Sequence, residues 1–195
     1  MAGPERSETR ELLKHWKRFR GEKRLPSHED VCLEELAAFM PYIYILDIES
    51  NDRFVLKQLG DAVRERFGEY DFTGLNFLDL ALPAFRERLK ARVRMIFEFG
   101  YAACTHTSIP SADGRMKRTE NLMLPIENSA GGFRRVFGSL YYTDGPDDTA
   151  HHSPTSNGLR ILDESFIDLG SGYAAIIDAS ELPDSVFPSI PDQDA

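Results

Sequence analysis

Three consecutive stretches of alternating residues constrain the fold of this chain most strongly: Tyr101 to Ile109, Arg118 to Ile126 and Phe133 to Tyr142. In the second, Leu122, Leu124 and Ile126 fall in phase, and the third alternates around Val136 and Leu140. A period of two belongs to strands that lay one side on a core. The stretches are joined by Ser111-Ala112-Asp113-Gly114 and by Asn128-Ser129-Ala130-Gly131-Gly132, both of turn chemistry. Links this short make antiparallel hairpins, since a parallel crossover takes a dozen or more residues.

The elements upstream complete the pattern. Tyr42 to Asp47 is a β-branched and aromatic run, Asp52 marks a turn, and Phe54, Leu56 and Leu59 belong to a second strand. Short helical pieces follow, one over Asp61 to Phe67 and one opened by Thr73-Gly74 and holding Phe77, Leu78 and Leu80. The longest helix begins after Pro83 and runs to about Phe99, where Gly100 caps it. Phe85, Leu89, Val93, Ile96 and Phe97 form its apolar face, and Arg86, Lys90 and Arg94, with Arg88 and Arg92, read as a solvated charged face. Two strands, helices and three strands in this order define an α+β chain with an antiparallel sheet.

The N-terminal segment, Glu5 to Arg20, places Leu12, Trp16 and Phe19 at i, i+4 and i+7 beside Leu13, one apolar stripe on a helix. That stripe either covers the helix's own domain or pairs across a dimer. Pro26 ends the segment, and Ser27 with Asp30 makes a capping-box start for a second helix through Val31, Leu36, Ala37 and Phe39, stopped by Pro41.

Composition enters through the tail. The chain of 195 residues carries a formal charge of −9, but residues 1–144 balance 22 basic against 22 acidic side chains. Residues 145–195 hold one basic residue, Arg160, against ten acidic ones, so nucleic acid is not expected as a partner, because phosphate contacts need Lys and Arg. Four segments follow: an N-terminal helix over 1–25, the α+β domain over 26–143, a Pro, Asp, His and Ser-rich linker over 144–157, and an acidic, partly apolar extension over 158–195. The extension keeps Ile161, Phe166, Ile167, Leu169, Tyr173, Ile176, Ile177 and Phe187, so it is expected to dock on the domain or on a partner. Cys32 and Cys104 stand far apart with no CxxC, which fits a reducing compartment, and no stretch of about 18 apolar residues occurs. The expectation is a cytoplasmic protein with no membrane partner.

The order of elements resembles a PAS domain. In its residues the chain is similar to a family of small bacterial proteins made of one PAS domain with a leading helix. The residues that carry the likeness are Trp16, Leu25-Pro26, Pro41, Asp47, Leu59-Gly60, Thr73-Gly74 and Leu124-Pro125-Ile126, spread over about residues 9–143. Phe166-Ile167-Asp168-Leu169-Gly170 in the tail is faintly similar as well. The resemblance implies a PAS-like five-stranded antiparallel sheet with helices on one face, plus the N-terminal helix and the C-terminal extension. It also implies a sensory or protein-interaction module whose inner face can hold a small ligand.

Flavin photosensors of this fold use a Cys in an Asn-Cys-Arg motif, and residues 73–80 hold no Cys; haem-binding members commonly use a His on the long helix, and residues 83–99 hold none. A flavin adduct and haem are therefore not expected, and no cofactor is assigned. No GxGxxG, GxxxxGK[ST], HExxH or GxSxG occurs, and His151 and His152 are adjacent without further ligands, so no catalytic or metal-binding residue is expected. On the third strand Cys104, His106 and Ser108 share one face and Ala103, Thr105 and Thr107 the other, with the inward face left open. Tyr44, Phe54, Phe97, His106 and Tyr141 are candidates to line a ligand cavity, the alternative being a filled core. Leu12, Leu13, Trp16 and Phe19 are the candidate homodimer interface. The functional expectation is a non-catalytic regulatory protein acting on a protein partner, with or without a small ligand. The alternatives are a small-molecule carrier or sensor and, third, a small α+β enzyme.

Overall fold

The computed structural model describes residues 3–66, 70–81, 83–110, 116–127, 134–142, 160–170, 172 and 176–186. The turns expected at 111–114 and 128–132, the linker 144–157 with His151 and His152, and Tyr173 and Phe187 lie outside these residues.

Helix α1 (Ser7–Arg20) leads into three short 3-10 turns at His28–Asp30, Glu34–Leu36 and Met40–Tyr42. The Ser27 and Asp30 capping box forms as the sequence predicts, with Asp30 accepting from the Ser27 N–H and hydroxyl at 2.7 Å each. The single helix expected after it does not form. Val31 is extended at φ −84°, ψ 111°, and Pro41 sits inside the third turn, so the segment breaks into single turns, and from it Leu36 and Phe39 enter the core.

The hairpin β1 (Ile43–Ser50) and β2 (Arg53–Leu59) precedes α2 (Asp61–Arg66), α3 (Phe77–Leu80) and α4 (Pro83–Phe99). The helix expected from Thr73 starts only at Phe77, because Asn76 takes the N-cap and accepts the Leu78 N–H. Strands β3 (Tyr101–Pro110), β4 (Met116–Glu127) and β5 (Arg134–Tyr142) follow, and then β6 (Arg160–Asp168) and β7 (Ile176–Asp178) from the tail. The sheet runs β2-β1-β5-β4-β3-β6-β7, every pair antiparallel. The five strands the sequence predicts are contiguous in this order. The sheet has seven because the extension adds two on the open edge of β3.

Helices lie on both faces of the sheet. On the inner face α4, α2 and α3 pack Leu89, Val93, Ile96, Phe97, Val63 and Leu78 onto Tyr44, Leu46, Ala103, Met123, Val136 and Phe166. On the outer face α1 and the 3-10 turns pack Leu12, Trp16, Leu36 and Phe39 onto Ala102, Cys104, Leu122, Leu124, Phe137 and Ile167. Adjacent strand residues thus divide between two cores, which is why β3 to β5 are buried nearly throughout.

Several residues that carry the sequence resemblance hold α1 and its connection in place. Trp16 is fully buried with its ring 5.7 Å from that of Phe137. The Pro26 carbonyl accepts the Glu127 N–H at 2.9 Å, docking the segment after α1 beside β4. Gly60 lies so close to Pro41 that a Cβ there would stand 2.3 Å from the Pro41 carbonyl oxygen, which excludes any side chain. Asp47, 4% exposed, takes two hydrogen bonds from the Arg135 guanidinium, at 2.6 and 3.0 Å.

Candidate functional site

Most of the polar side chains buried among the described residues gather on the two sides of β3, and β6 supplies an acid to each. Asp163 and Glu164 are sequence neighbours in a strand, so they point to opposite faces.

On the inner face Glu164, 2% exposed, receives Arg88 Nε at 2.8 Å and also Arg92 Nε. Arg88 and Arg92, spaced i and i+4 on α4, reach one carboxylate together. This corrects the reading of the α4 arginines as one solvated face: Arg92 is 8% exposed and turns inward with Arg88. The apolar face expected for α4 is the one buried, with Leu89, Val93, Ile96 and Phe97 inside. Farther along the face the Tyr44 hydroxyl donates to Asn121 Oδ1 at 2.8 Å. Burial pushes that phenol up to about 12.

On the outer face His106 is fully buried between two acids. Its Nδ1 stands 2.8 Å from Asp163 Oδ1 and its Nε2 2.9 Å from Glu120 Oε2. The β3–β4 register places Glu120 directly opposite His106, and the β3–β6 register places Asp163 there from the other side. Burial alone lowers the His106 pKa; the hydrogen bonds and charges of Glu120 and Asp163 outweigh it and hold the ring above its ordinary 6.5. Burial acts on Glu120 in the raising direction, and the hydrogen bonds it accepts leave it below the usual carboxylate value. Two of those come from the start of α1: Glu120 Oε2 accepts the Glu5 N–H at 2.6 Å and the Arg6 N–H at 3.2 Å. A sheet carboxylate therefore satisfies the two amides that lead into α1, those of Glu5 and of the N-cap Arg6. The Arg6 guanidinium donates to the Tyr142 carbonyl at 2.8 Å and lies 5.3 Å above the Tyr141 ring. Burial, with the charge of Glu8 behind it, pushes the Tyr141 hydroxyl up. Cys104, two residues before His106, is buried on the same face, and burial followed by the charges of Glu120 and Asp163 pushes its thiol well up.

The five cavity candidates do not converge. Tyr44, Phe54 and Phe97 belong to the inner core, at 7%, 1% and 1% exposure, whereas His106 and Tyr141 face α1 on the opposite side. The alternation along β3 left the two faces equivalent, and only the docking of α1 distinguishes them. Leu12 and Trp16, nominated for a dimer interface, are at 0% exposure against the chain's own strands, with Leu13 and Phe19 packed at their edge. Of the two uses open to the stripe, the chain's own sheet takes it.

Sequence reasoning missed Glu120, Asp163, Glu164, Arg88 and Arg92 as site residues. The signal was present in the tail. Asp163-Glu164 stands between the apolar pairs Ile161-Leu162 and Phe166-Ile167, and two adjacent acids in a strand must face two different surroundings. The similarity at 166–170 also has a structural basis. Phe166 enters the inner core, Ile167 and Leu169 the outer one, and the Asp168 carboxylate accepts the N–H of Gly170 at 3.0 Å and of Gly172 at 3.2 Å.

An antiparallel sheet of order 2-1-5-4-3, with short helices and one long connecting helix on its inner face, defines a PAS-type module. The PAS domain family profile matches residues 5–141, and the chain belongs to that family. PAS domains are sensory and regulatory modules, and the charged cluster around His106 lies within the matched residues but for Asp163. No curated protein matches the chain. Among solved structures it is similar to VqmA of Vibrio cholerae, a LuxR-type receptor. The likeness is 21% identity and a TM-score of 0.42 over 58% of this chain and 54% of that one for the dimer without its target DNA. It is 20% and 0.40 over 57% and 51% for a VqmA–ligand–DNA complex, and 22% and 0.39 over 58% of each chain for VqmA bound to DPO. The chain thus spans just over half the length of the VqmA chains it matches.

The exclusion of nucleic acid as a partner is corrected here, since VqmA is a DNA-binding protein solved with DNA. That exclusion rested on the acidity of the tail, which in this structure is directed partly inward, onto Arg88, Arg92 and His106, and says nothing of the remaining surface. Among the described residues no helix is long and apolar enough to cross a membrane.

Proposed function

We propose that this PAS domain acts as a non-catalytic regulatory module through a protein partner, with α1 and β6 as the elements that carry a change in the sheet to that partner. A small ligand would act on the inner face, beside Tyr44, Asn121 and Arg92. The observation that carries the reading is where the buried charges are used: Glu120 holds the start of α1, while Glu164 and Asp163 hold β6. Buried charge pairs add little net stability over apolar packing, yet breaking one partner is costly, so they suit an element that is either fully docked or released. Both latched elements adjoin β3, so a shift of that strand is felt at both.

The test is a thermal-shift screen of small metabolites on the full chain, followed by hydrogen exchange on each stabilising compound. A ligand that raises the melting temperature is expected to change amide protection in residues 7–20 or 160–168. Stabilising ligands that leave both segments unchanged, or that are chemically converted, overturn the reading.

A further inference from the structure

Cys104, His106 and Glu120 bring one ligand atom each to within 4.8 Å of one another, and all three side chains are fully buried. A tetrahedral zinc site with bonds of about 2.0–2.3 Å sets its donors roughly 3.3–3.8 Å apart, so the strands that carry these residues need not separate to form one. The surroundings are those that metal ligands require. The Asp163 carboxylate lies against His106 Nδ1, which fixes the ring and aims Nε2 at Glu120. Glu120 is itself held by the Glu5 and Arg6 amides. A fourth donor is at hand, because Glu5 Oε2 stands 4.0 Å from His106 Nε2 on a half-exposed side chain that Arg118 Nη2 meets at 2.8 Å.

Charge points the same way. Three carboxylates, from Glu5, Glu120 and Asp163, surround one imidazole, and Arg118 pairs with Glu5 at its outer end. An unprotonated Nε2 facing a carboxylate oxygen at 2.9 Å sets lone pair against lone pair, which either a proton or a metal ion between them resolves. The hydroxyls of Ser108 and Tyr141, buried on the same face, have no hydrogen-bond partner among the described residues. We propose that Cys104, His106 and Glu120, completed by Glu5, form a site for a zinc-type divalent cation, with Asp163 as the residue that positions His106. A mixed sulfur, nitrogen and oxygen set in tetrahedral arrangement selects zinc over magnesium or calcium, which take oxygen donors alone. On binding, the Cys104 thiol gives up its proton to solvent and the thiolate enters the coordination sphere.

The test is a cobalt(II) titration of the full chain after chelator treatment, with zinc as competitor. One equivalent of cobalt is expected, with the visible bands of a tetrahedral ion and a thiolate-to-cobalt charge-transfer band, all displaced by zinc. Cys104→Ser is expected to abolish the charge-transfer band, and Asp163→Asn to weaken binding 10–100-fold with the spectrum unchanged in shape. Because Cys104→Ser removes no volume to speak of, its circular dichroism is expected to match the parent. A wild-type spectrum without a charge-transfer band, or uptake that zinc does not displace, overturns the proposal whatever the variants do.

Discussion

The two faces of the sheet handle buried charge differently. On the inner face two guanidiniums of α4 converge on one carboxylate, Glu164, beside the larger apolar core. On the outer face the acids outnumber the imidazole they surround, and one of them accepts the backbone amides of Glu5 and Arg6 just before α1. The inner cluster ties a strand to a helix through side chains, and the outer one ties a helix to the sheet through its own N-terminus. Strand β6 is common to both, so the segment that composition describes as an acidic appendage gives one carboxylate to the guanidiniums on one side of β3 and one to the imidazole on the other.

The largest effect is expected from Glu164→Ala, which leaves Arg92 buried without its carboxylate: about 3–5 kcal/mol of stability lost in urea unfolding. A triple variant that also replaces Arg88 and Arg92 by Met recovers most of it if the loss arises from unpaired charge. Leu12→Ala, on the outer face, removes only apolar packing and is expected to cost roughly 2–5 kcal/mol, without rescue by any charge change. A comparable loss from Glu164→Ala that the triple variant does not recover would erase the distinction between the faces. Gly138→Ala is next. A Cβ there would stand 2.0 Å from the Tyr44 ring, so Tyr44 must leave its bond to Asn121, at about 1–3 kcal/mol. The smallest effect lies away from both clusters. The hydrogen bond from Lys23, and then those from Ser27, hold Asp30 down to about 2. Its folded value is depressed, so the small stabilisation is present above its ordinary 3.8 and fades as pH falls through about 2. Asp30→Asn is therefore expected to differ from the parent in melting temperature at neutral pH and to converge on it in acid.

Much of the fold is legible from local pattern. The extents of α4 and of β3 to β5, and the capping box at Ser27, follow from periodicity and turn chemistry, which act over a few residues. What escapes is decided by tertiary pairing. Val31 to Phe39 has helical spacing, yet Pro41 and the packing of Leu36 and Phe39 onto β1 break it into single turns. Arg88 and Arg92 look like Arg86 and Arg94 until Glu164, 76 and 72 positions away, takes them up. His106 stands out as a titratable residue on a strand whose two faces are both mixed, but its partners come from β4 and β6, and no spacing in sequence connects them. For the same reason Tyr141 was grouped with Tyr44, although they lie on opposite sides of the sheet.

Hydrogen exchange of the full-length chain along Arg160–Asp168 bears most directly on β6 as a latched strand of the PAS sheet. Amides of Glu164 to Ile167 are expected to exchange as slowly as those of β4, and Glu164→Ala to accelerate residues 160–168 far more than β1 and β5. Exchange of this segment at the rate of an unstructured peptide in the parent chain would contradict it.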